Sequence, residues 1–507
     1  MNTPVCDFVE NYVKKTPLRL HMPGHKGAFF TGAEERDLTE IDGADVLYKA
    51  RGVIAESEEN ASRLFGSGKT VYSCEGSSLC IRAMLYLAVL YANEKSRGIR
   101  GGAEKDNGCG GAKTPDDADA EKANGAGKNG AERPLIFAAR NAHRVFLSAA
   151  ALLDFDVTWL YGDEDFCDAA EETGKKTEKR QTAEKRADGV ISCGVSARGV
   201  RRKLEEASRA GRLPAAVYVT SPDYLGNIAD IKGIAAVCHE YGVLCLTDNA
   251  HGAYLKFCEK SLHPMDLGAD MCCDSAHKTL SVLTGGAYLH ISKNAPAVLK
   301  ENAERAMRLF ASTSPSYLIL QSLDKANAVI EDTGYRRDLA VFSKRAGELK
   351  KTLEAAGYGI AGDEPMKITL RTKTYGYTGE EVKDYLAAKD IVCEFADEDF
   401  IVFMFTPFLE EDCFARLSAA LLALPSKEKI RKEPPVVLRK KSVMSVRQAV
   451  FSPSEALPVK ECLGRVLAAE NVSCPPAVPI VACGEEIDEN ALALFEYYKE
   501  EYCRVVK

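Results

Sequence analysis

Two stretches, VLCLTDNAHGAY at residues 243–254 and MCCDSAHKTL at residues 271–280, decide how this chain is read. Each begins as a short apolar run of strand character and ends on polar residues, Asp248 in the first and Asp274 and Ser275 in the second. Similar runs occupy 134–138, 215–220 and 286–291, with helical stretches such as 200–210 and 231–241 between them. Strands alternating with helices of about 10–15 residues predict βαβ units and an α/β fold built on a mostly parallel sheet. In such sheets ligands bind beyond the carboxyl ends of the strands. The residues to inspect are therefore those just after each strand.

Asp248 closes one strand, with Ala250 and His251 immediately after it. A carboxylate there needs a cationic partner to stay charged. The next strand is followed by Ser275, His277 and Lys278. Desolvation in an apolar segment favours a lysine's amine form, which a Schiff-base nucleophile requires. Upstream, CEGSSLCIRAML sets Gly76, Ser77 and Ser78 at the start of a helix, where amides and hydroxyls seat a phosphate. Singly, each feature has a plainer use: a strand-end Asp also caps helices, and a His-Lys pair also sits on surfaces, as His25-Lys26 would. The ordered set meets the needs of pyridoxal 5'-phosphate: a lysine for its aldehyde, a carboxylate for its ring nitrogen and a Ser/Gly helix start for its phosphate.

The chain has 507 residues, enough for two or three domains. We expect an N-terminal arm (1–50), a large cofactor-binding region (51–325) and smaller C-terminal parts (326–507). The last begin within a long helical region, 317–356. Strands at 366–371, 391–395 and 400–406 follow, with helices near 378–388 and 410–424, then a Pro-rich tail including 456–470 and 474–481. Two segments look like surface insertions. Residues 98–131 hold nine glycines and almost no large apolar side chain, and read as a mobile loop; 171–188 is a mixed-charge run.

Composition excludes several classes. With 66 basic and 74 acidic residues the net charge is −8, a poor balance for general nucleic-acid binding. No apolar run reaches the roughly 18 residues of a membrane helix, and the N-terminus has no signal-peptide pattern. The 17 cysteines show no disulfide or zinc-ribbon spacing, so a reduced, cytoplasmic protein without a metal is expected. Residues 66–70, GSGKT, end like a phosphate-binding loop. Position 63 is Arg instead of Gly, and the stretch before it reads as helix instead of strand, so that reading is set aside.

Beyond these features, the chain resembles the Orn/Lys/Arg decarboxylases, pyridoxal-phosphate enzymes of the aspartate-aminotransferase fold (fold type I). The likeness is carried by LRLHMPGHKG (18–27), DLTEIDGADVLY, AESEENASRLFGS, the GSS segment, RNAHR (140–144), YVTSPDYLGNIADI, DNAHGAY, DSAHKTL, TSPSYLILQSLD and PPAVPIVACGEEI. It is nearest to the short forms without an N-terminal wing domain. The resemblance implies decarboxylation of arginine, lysine or ornithine to an amine and CO₂, in polyamine or amino acid metabolism. By position it implies that Lys278 bonds the cofactor aldehyde, Asp248 pairs with the ring nitrogen and His143 stacks on the ring. Gly76, Ser77, Ser78, Ser275 and His277 are implied as phosphate and near-cofactor ligands, and Ala250 and His251 as ring neighbours. Thr313-Ser314-Pro315-Ser316 is implied to reach the partner's phosphate in a homodimer or larger homo-oligomer. An acidic group should meet the substrate's distal cation; Glu40, Asp42, Asp45 and Glu394 are the candidates. Val46, Tyr48, Ala50, Leu79 and Asp223 depart from the family pattern and bear on which substrate is used. An aminotransferase or lyase on the same scaffold, with Arg371 as a carboxylate ligand, and a weakly active or regulatory homologue are the alternatives.

Overall fold

A seven-stranded sheet organises the computed structural model, which describes residues 1–106, 132–161, 194–469 and 478–507. Its strands are β1 (Lys69–Ser73), β2 (Leu135–Ala139), β3 (Asp156–Leu160), β4 (Ala216–Thr220), β5 (Leu244–Asp248), β6 (Met271–Asp274) and β7 (Ala287–Ile291). They lie in the order β1-β7-β6-β5-β4-β2-β3. From β3 to β6 neighbours are parallel, while β7 runs antiparallel to both β6 and β1. The mostly parallel α/β fold is therefore the one expected, and the five strands read from sequence are displaced by a residue or two at most. The two overlooked strands, β1 and β3, are the sheet's edges. Each is short and carries polar residues (Lys69, Thr70 and Ser73; Asp156 and Thr158), because an edge strand pairs on one side only.

Alternate side chains of the central strands enter two different cores, as the period of two requires. Ile136, Ala138, Leu244 and Leu246 pack with the helices Gly76–Asp106 and Arg144–Leu153. Leu135, Phe137, Val217 and Cys245 pack on the other face with Ala197–Arg209 and Ile231–Glu240. Covering both faces in this way leaves only the strand ends free to build a site.

One expectation needs correction. The helix Gly76–Asp106 continues through Gly98, where a loop was expected to begin. Weak apolar content denies a segment a place in the core, but it does not stop hydrogen bonds propagating from a helix already formed. The rest of that insertion, 107–131, lies outside the described residues, as do all of 171–188 and part of the Pro-rich tail, 470–477.

The long helical region is two helices, Tyr317–Glu331 and Thr333–Ala355, divided at Asp332, whose carboxylate accepts from the Gly334 amide at 2.6 Å. A smaller antiparallel sheet follows, from β8 (Gly359–Ala361), β9 (Lys367–Arg371), β10 (Phe395–Ala396) and β11 (Phe400–Met404), in the order β10-β11-β9-β8. The strand expected at 391–395 shrinks to β10, because Ile391 still closes the preceding helix by donating to the Leu386 carbonyl at 3.0 Å. Last, β12 (Ser454–Pro458) pairs with β13 (Tyr502–Val506) over an apolar cluster that includes Ile480, Phe495 and Val505. Buried Arg140 ties this C-terminal unit to the large sheet, donating to both Glu485 carboxylate oxygens at 2.9 and 2.8 Å. Among the described residues no helix is long and apolar enough to cross a membrane.

Candidate active site

The end of β5 carries the first element of the site. Asp248 is 2% exposed, and its Oδ2 accepts from the Tyr218 hydroxyl of β4 at 3.0 Å. Its Oδ1 takes the Ala250 amide at 3.2 Å and faces the Cys273 thiol at 3.6 Å. Among the described residues no Lys, Arg or His lies within ion-pair distance of it. A buried carboxylate with neutral partners only is ready for a cation from outside the chain. This is the feature by which the cleft fits a protonated pyridine ring.

Lys278 stands across from it on the one-turn helix Ala276–Thr279 that follows β6. Its Nζ is 3.0 Å from His251 Nε2. Burial lowers the lysine's pKa, while Asp248 and Glu394 act in the opposite sense. His143 caps the helix Arg144–Leu153, its Nδ1 accepting from the Val145 amide at 3.3 Å. The residue is exposed, yet the surrounding protein still pushes its pKa down, with Asp248 opposing.

The phosphate-seat residues also converge. Gly76 opens its helix with φ +71°, and its amide donates to the Gly285 carbonyl at 2.7 Å. A side chain at Gly76 would meet His277 Cε1 at 3.9 Å. Ser275 donates to the Ser77 hydroxyl at 2.8 Å, and His277 Nδ1 donates to the Gly286 carbonyl at 3.0 Å. Ser78 sits half-buried in the same first turn, whose amides have no acceptor within the helix. Hydroxyls, orphan amides and a positive helix end form a donor set suited to a phosphate group.

The four acidic candidates separate clearly. Asp45 is committed to backbone amides, accepting from Val46 at 2.9 Å and Gly52 at 2.7 Å, and so braces the start of the helix Val53–Phe65. Glu40 and Asp42 are exposed on the arm. Glu394 accepts from the Tyr224 hydroxyl at 3.2 Å, and Tyr224 lies edge-on to His251 with ring centres 5.3 Å apart. Of the four, only Glu394 connects to the Lys278 end of the cleft.

Other expectations fall into place. Lys69 and Thr70 lie in β1, with Lys69 paired to Glu304 at 2.7 Å, so 66–70 is no phosphate loop. Arg371 stacks over Phe400 at 5.9 Å within the small sheet. Asp223 organises its own loop, taking the Leu225 and Asn227 amides at 3.0 and 2.9 Å. Leu79 is core, and Tyr48 is buried, its hydroxyl lacking a partner.

Sequence reasoning overlooked Lys367. It begins β9, its side chain is 1% exposed, and its Nζ is 3.2 Å from His251 Nδ1 and 2.8 Å from the buried Glu364 carboxylate. The available signal was a lysine inside the apolar run MKITL, a position where an unpaired charge is costly.

Comparison with known proteins gives a consistent result. Residues 186–369 match the family model of the Orn/Lys/Arg decarboxylase major domain. Arginine decarboxylases of Bacillus subtilis and Halalkalibacterium halodurans are each 26% identical to the chain, over 97% of it and 92% of their own length. The lysine decarboxylase LdcF of Francisella novicida superposes with a TM-score of 0.73 at 16% identity, covering 100% of this chain and 81% of that one. This last likeness is one of fold.

Proposed function

We propose that this chain is an Orn/Lys/Arg decarboxylase, as its similarity to that family's major domain and to arginine decarboxylases supports, and that it removes the α-carboxylate of arginine, lysine or ornithine with the help of pyridoxal phosphate. The observation that carries the reading is the pairing of Asp248, buried without a cation, with Lys278, desolvated toward its amine form. When bound, pyridoxal phosphate supplies a conjugated cationic ring that accepts the electron pair left as CO₂ departs. Asp248 would keep the ring nitrogen protonated, Lys278 would bond the aldehyde, and His143 would cover the ring. Gly76, Ser77, Ser78, Ser275 and His277 would hold the phosphate, with Ala250 and His251 bordering the ring. Lys278 Nζ would also be the group that holds and returns a proton at the substrate's Cα.

Glu394 is our choice for the substrate's distal cation, since its carboxylate is tethered by Tyr224 at the Lys278 end of the cleft. The reading includes a homodimer. Leu18, Leu20 and Phe29 are more than four-fifths exposed on the N-terminal arm, and Thr313 and Ser314 are exposed as well; a second copy would cover these surfaces. A cytoplasmic, polyamine-forming enzyme is the setting this implies.

Separate incubation with arginine, lysine and ornithine tests the proposal. CO₂ should be released from at least one of them. Amino-group transfer to a keto acid without CO₂ would replace the reading with an aminotransferase.

A further inference from the structure

Lys367 has no part in the roles given above, yet it is the most deeply buried cation beside the cleft. Its ammonium faces three acceptors: the Glu364 carboxylate at 2.8 Å, the Asp223 carbonyl at 3.2 Å and His251 Nδ1 at 3.2 Å. Glu364 is itself held, taking the Tyr254 hydroxyl at 3.1 Å, while Lys350 donates to its carbonyl at 2.7 Å. An ammonium has three hydrogens and no lone pair. With a donor in front of it, His251 Nδ1 must present its lone pair, and the hydrogen of the neutral imidazole then sits on Nε2. That N–H points at Lys278 Nζ, 3.0 Å away. It can donate only if Lys278 offers a lone pair, which an ammonium lacks.

We infer that Lys367 is a positioning residue that fixes the tautomer of His251 and, through it, holds Lys278 as the free amine able to attack an aldehyde. The inference rests on the reading that Lys278 carries the cofactor.

The surrounding charges agree. His251 faces Lys367, Lys278, His143 and His277, and burial together with these cations keeps it neutral, well below the usual imidazole range. Lys278 faces Asp248 and Glu394, which favour its ammonium form, and Lys367, which opposes it, besides His143, His251, His277 and the Cys273 thiol. Without Lys367, His251 could turn its lone pair toward Lys278 and accept a proton from an ammonium instead.

The test follows the rate at which full-length enzyme, stripped of cofactor, recovers its visible absorbance band on adding pyridoxal phosphate across pH 6–10. Attack by a lysine tracks its free-amine fraction, so a one-unit rise in its pKa slows the rate about tenfold at pH below the midpoint. Lys367→Met should move the midpoint up by about a unit, leaving the final band unchanged. In a His251→Leu background the same substitution should move it little, because the relay is already cut. An unmoved midpoint in Lys367→Met overturns the inference. So does an equal shift with and without His251, which would mean a simple through-space charge effect. If Lys367→Met does not fold with Glu364 left unpaired, Lys367→Met with Glu364→Gln removes both charges and is measured the same way. Failure of the underlying reading looks different: the band would survive Lys278→Ala.

Discussion

Two buried histidine clusters lie side by side at the strand ends, and they are wired in opposite ways. In one, the Asp274 carboxylate sits between two imidazoles: its Oδ2 accepts from His263 Nε2 at 2.9 Å and His290 Nε2 at 3.2 Å, and its Oδ1 from the Asn249 amide at 2.6 Å. In the other, His251 sits between two lysines. The first is closed, with side chains at 0% exposure; burial pushes the Asp274 carboxyl up, but the charge and hydrogen bonds of His263 and His290 outweigh it and hold the carboxyl below the usual range. The second is rich in cations and opens onto the cleft. A cluster whose charges and lone pairs are matched internally is framework. A cluster left with surplus cations beside an unpaired Asp248 is arranged for something the chain itself does not contain. The matched cluster also explains why His263, Cys272 and Asp274, close enough together to suggest a metal site, need none. His263 Nδ1 accepts from the Met265 amide at 3.3 Å, so its Nε2 carries the hydrogen aimed at Asp274 and has no lone pair to offer.

The largest effect should come from the unmatched cluster. Lys278→Ala is expected to abolish the visible cofactor band and to lower CO₂ release by roughly 10²–10⁴-fold, the range for losing a positioned proton donor or acceptor. Its melting temperature should stay near that of the wild type, because a half-buried lysine with a lowered pKa contributes little to stability. A variant that unfolds instead would erase the contrast between the two clusters.

Asp274→Ala is the complementary probe. Removing the shared acceptor strands two fully buried imidazoles and Asn249, and breaking such a cluster costs about 3–5 kcal/mol. Chemical denaturation should read that loss at neutral pH. The pH dependence has a definite sign. A carboxyl depressed in the fold stabilises above its unfolded value, near 3.9, and that contribution fades as pH falls through the folded value. His251 and His290 are also depressed, so wild-type stability should already decline as pH falls through about 6.5, where the unfolded imidazoles take up protons. A flat profile between pH 7 and 5 would show that these histidines are not buried in the neutral form.

The two clusters were unequally legible in the sequence. Asp248, His251, Ser275, His277 and Lys278 follow two strands directly, so reading strand ends was enough to collect them. Gly76, Ser77 and Ser78 needed only the start of a helix. Lys367 lies 89 residues beyond Lys278 and reaches the cleft because β9 packs beneath the loop after β4. Only tertiary structure brings it there. The same holds for Glu485, which braces Arg140 across 345 residues. Asp45 and Asp223 looked like substrate determinants because a lone sequence shows a carboxylate without its partners. The structure shows each occupied by backbone amides.

Glu394 tests the open cluster at its outer end. Glu394→Gln keeps the Tyr224 hydrogen bond but removes the charge, and a hydrogen bond to a charged group is worth about 1.5–3 kcal/mol. The KM for the preferred basic amino acid should rise by roughly 10- to 100-fold with a smaller change in kcat. An unchanged KM would assign the distal cation to another residue.

The last effect concerns a carboxylate that belongs to neither cluster. Glu58 is 6% exposed on the helix Val53–Phe65 and accepts from the Tyr72 amide at 2.9 Å, with no cation in ion-pair contact among the described residues. Burial pushes its carboxyl up from 4.5 to about 8. A raised carboxyl works against the fold as pH rises. Below 4.5 both states hold the proton, and between 4.5 and 8 the unfolded chain releases it while the folded chain cannot. Glu58→Gln keeps an oxygen for Tyr72 and removes that penalty. The variant should melt together with the wild type near pH 4 and above it at pH 8. Equal melting at both pH values would mean that Glu58 remains ionised in the fold, and that a cation reaches it as none reaches Asp248.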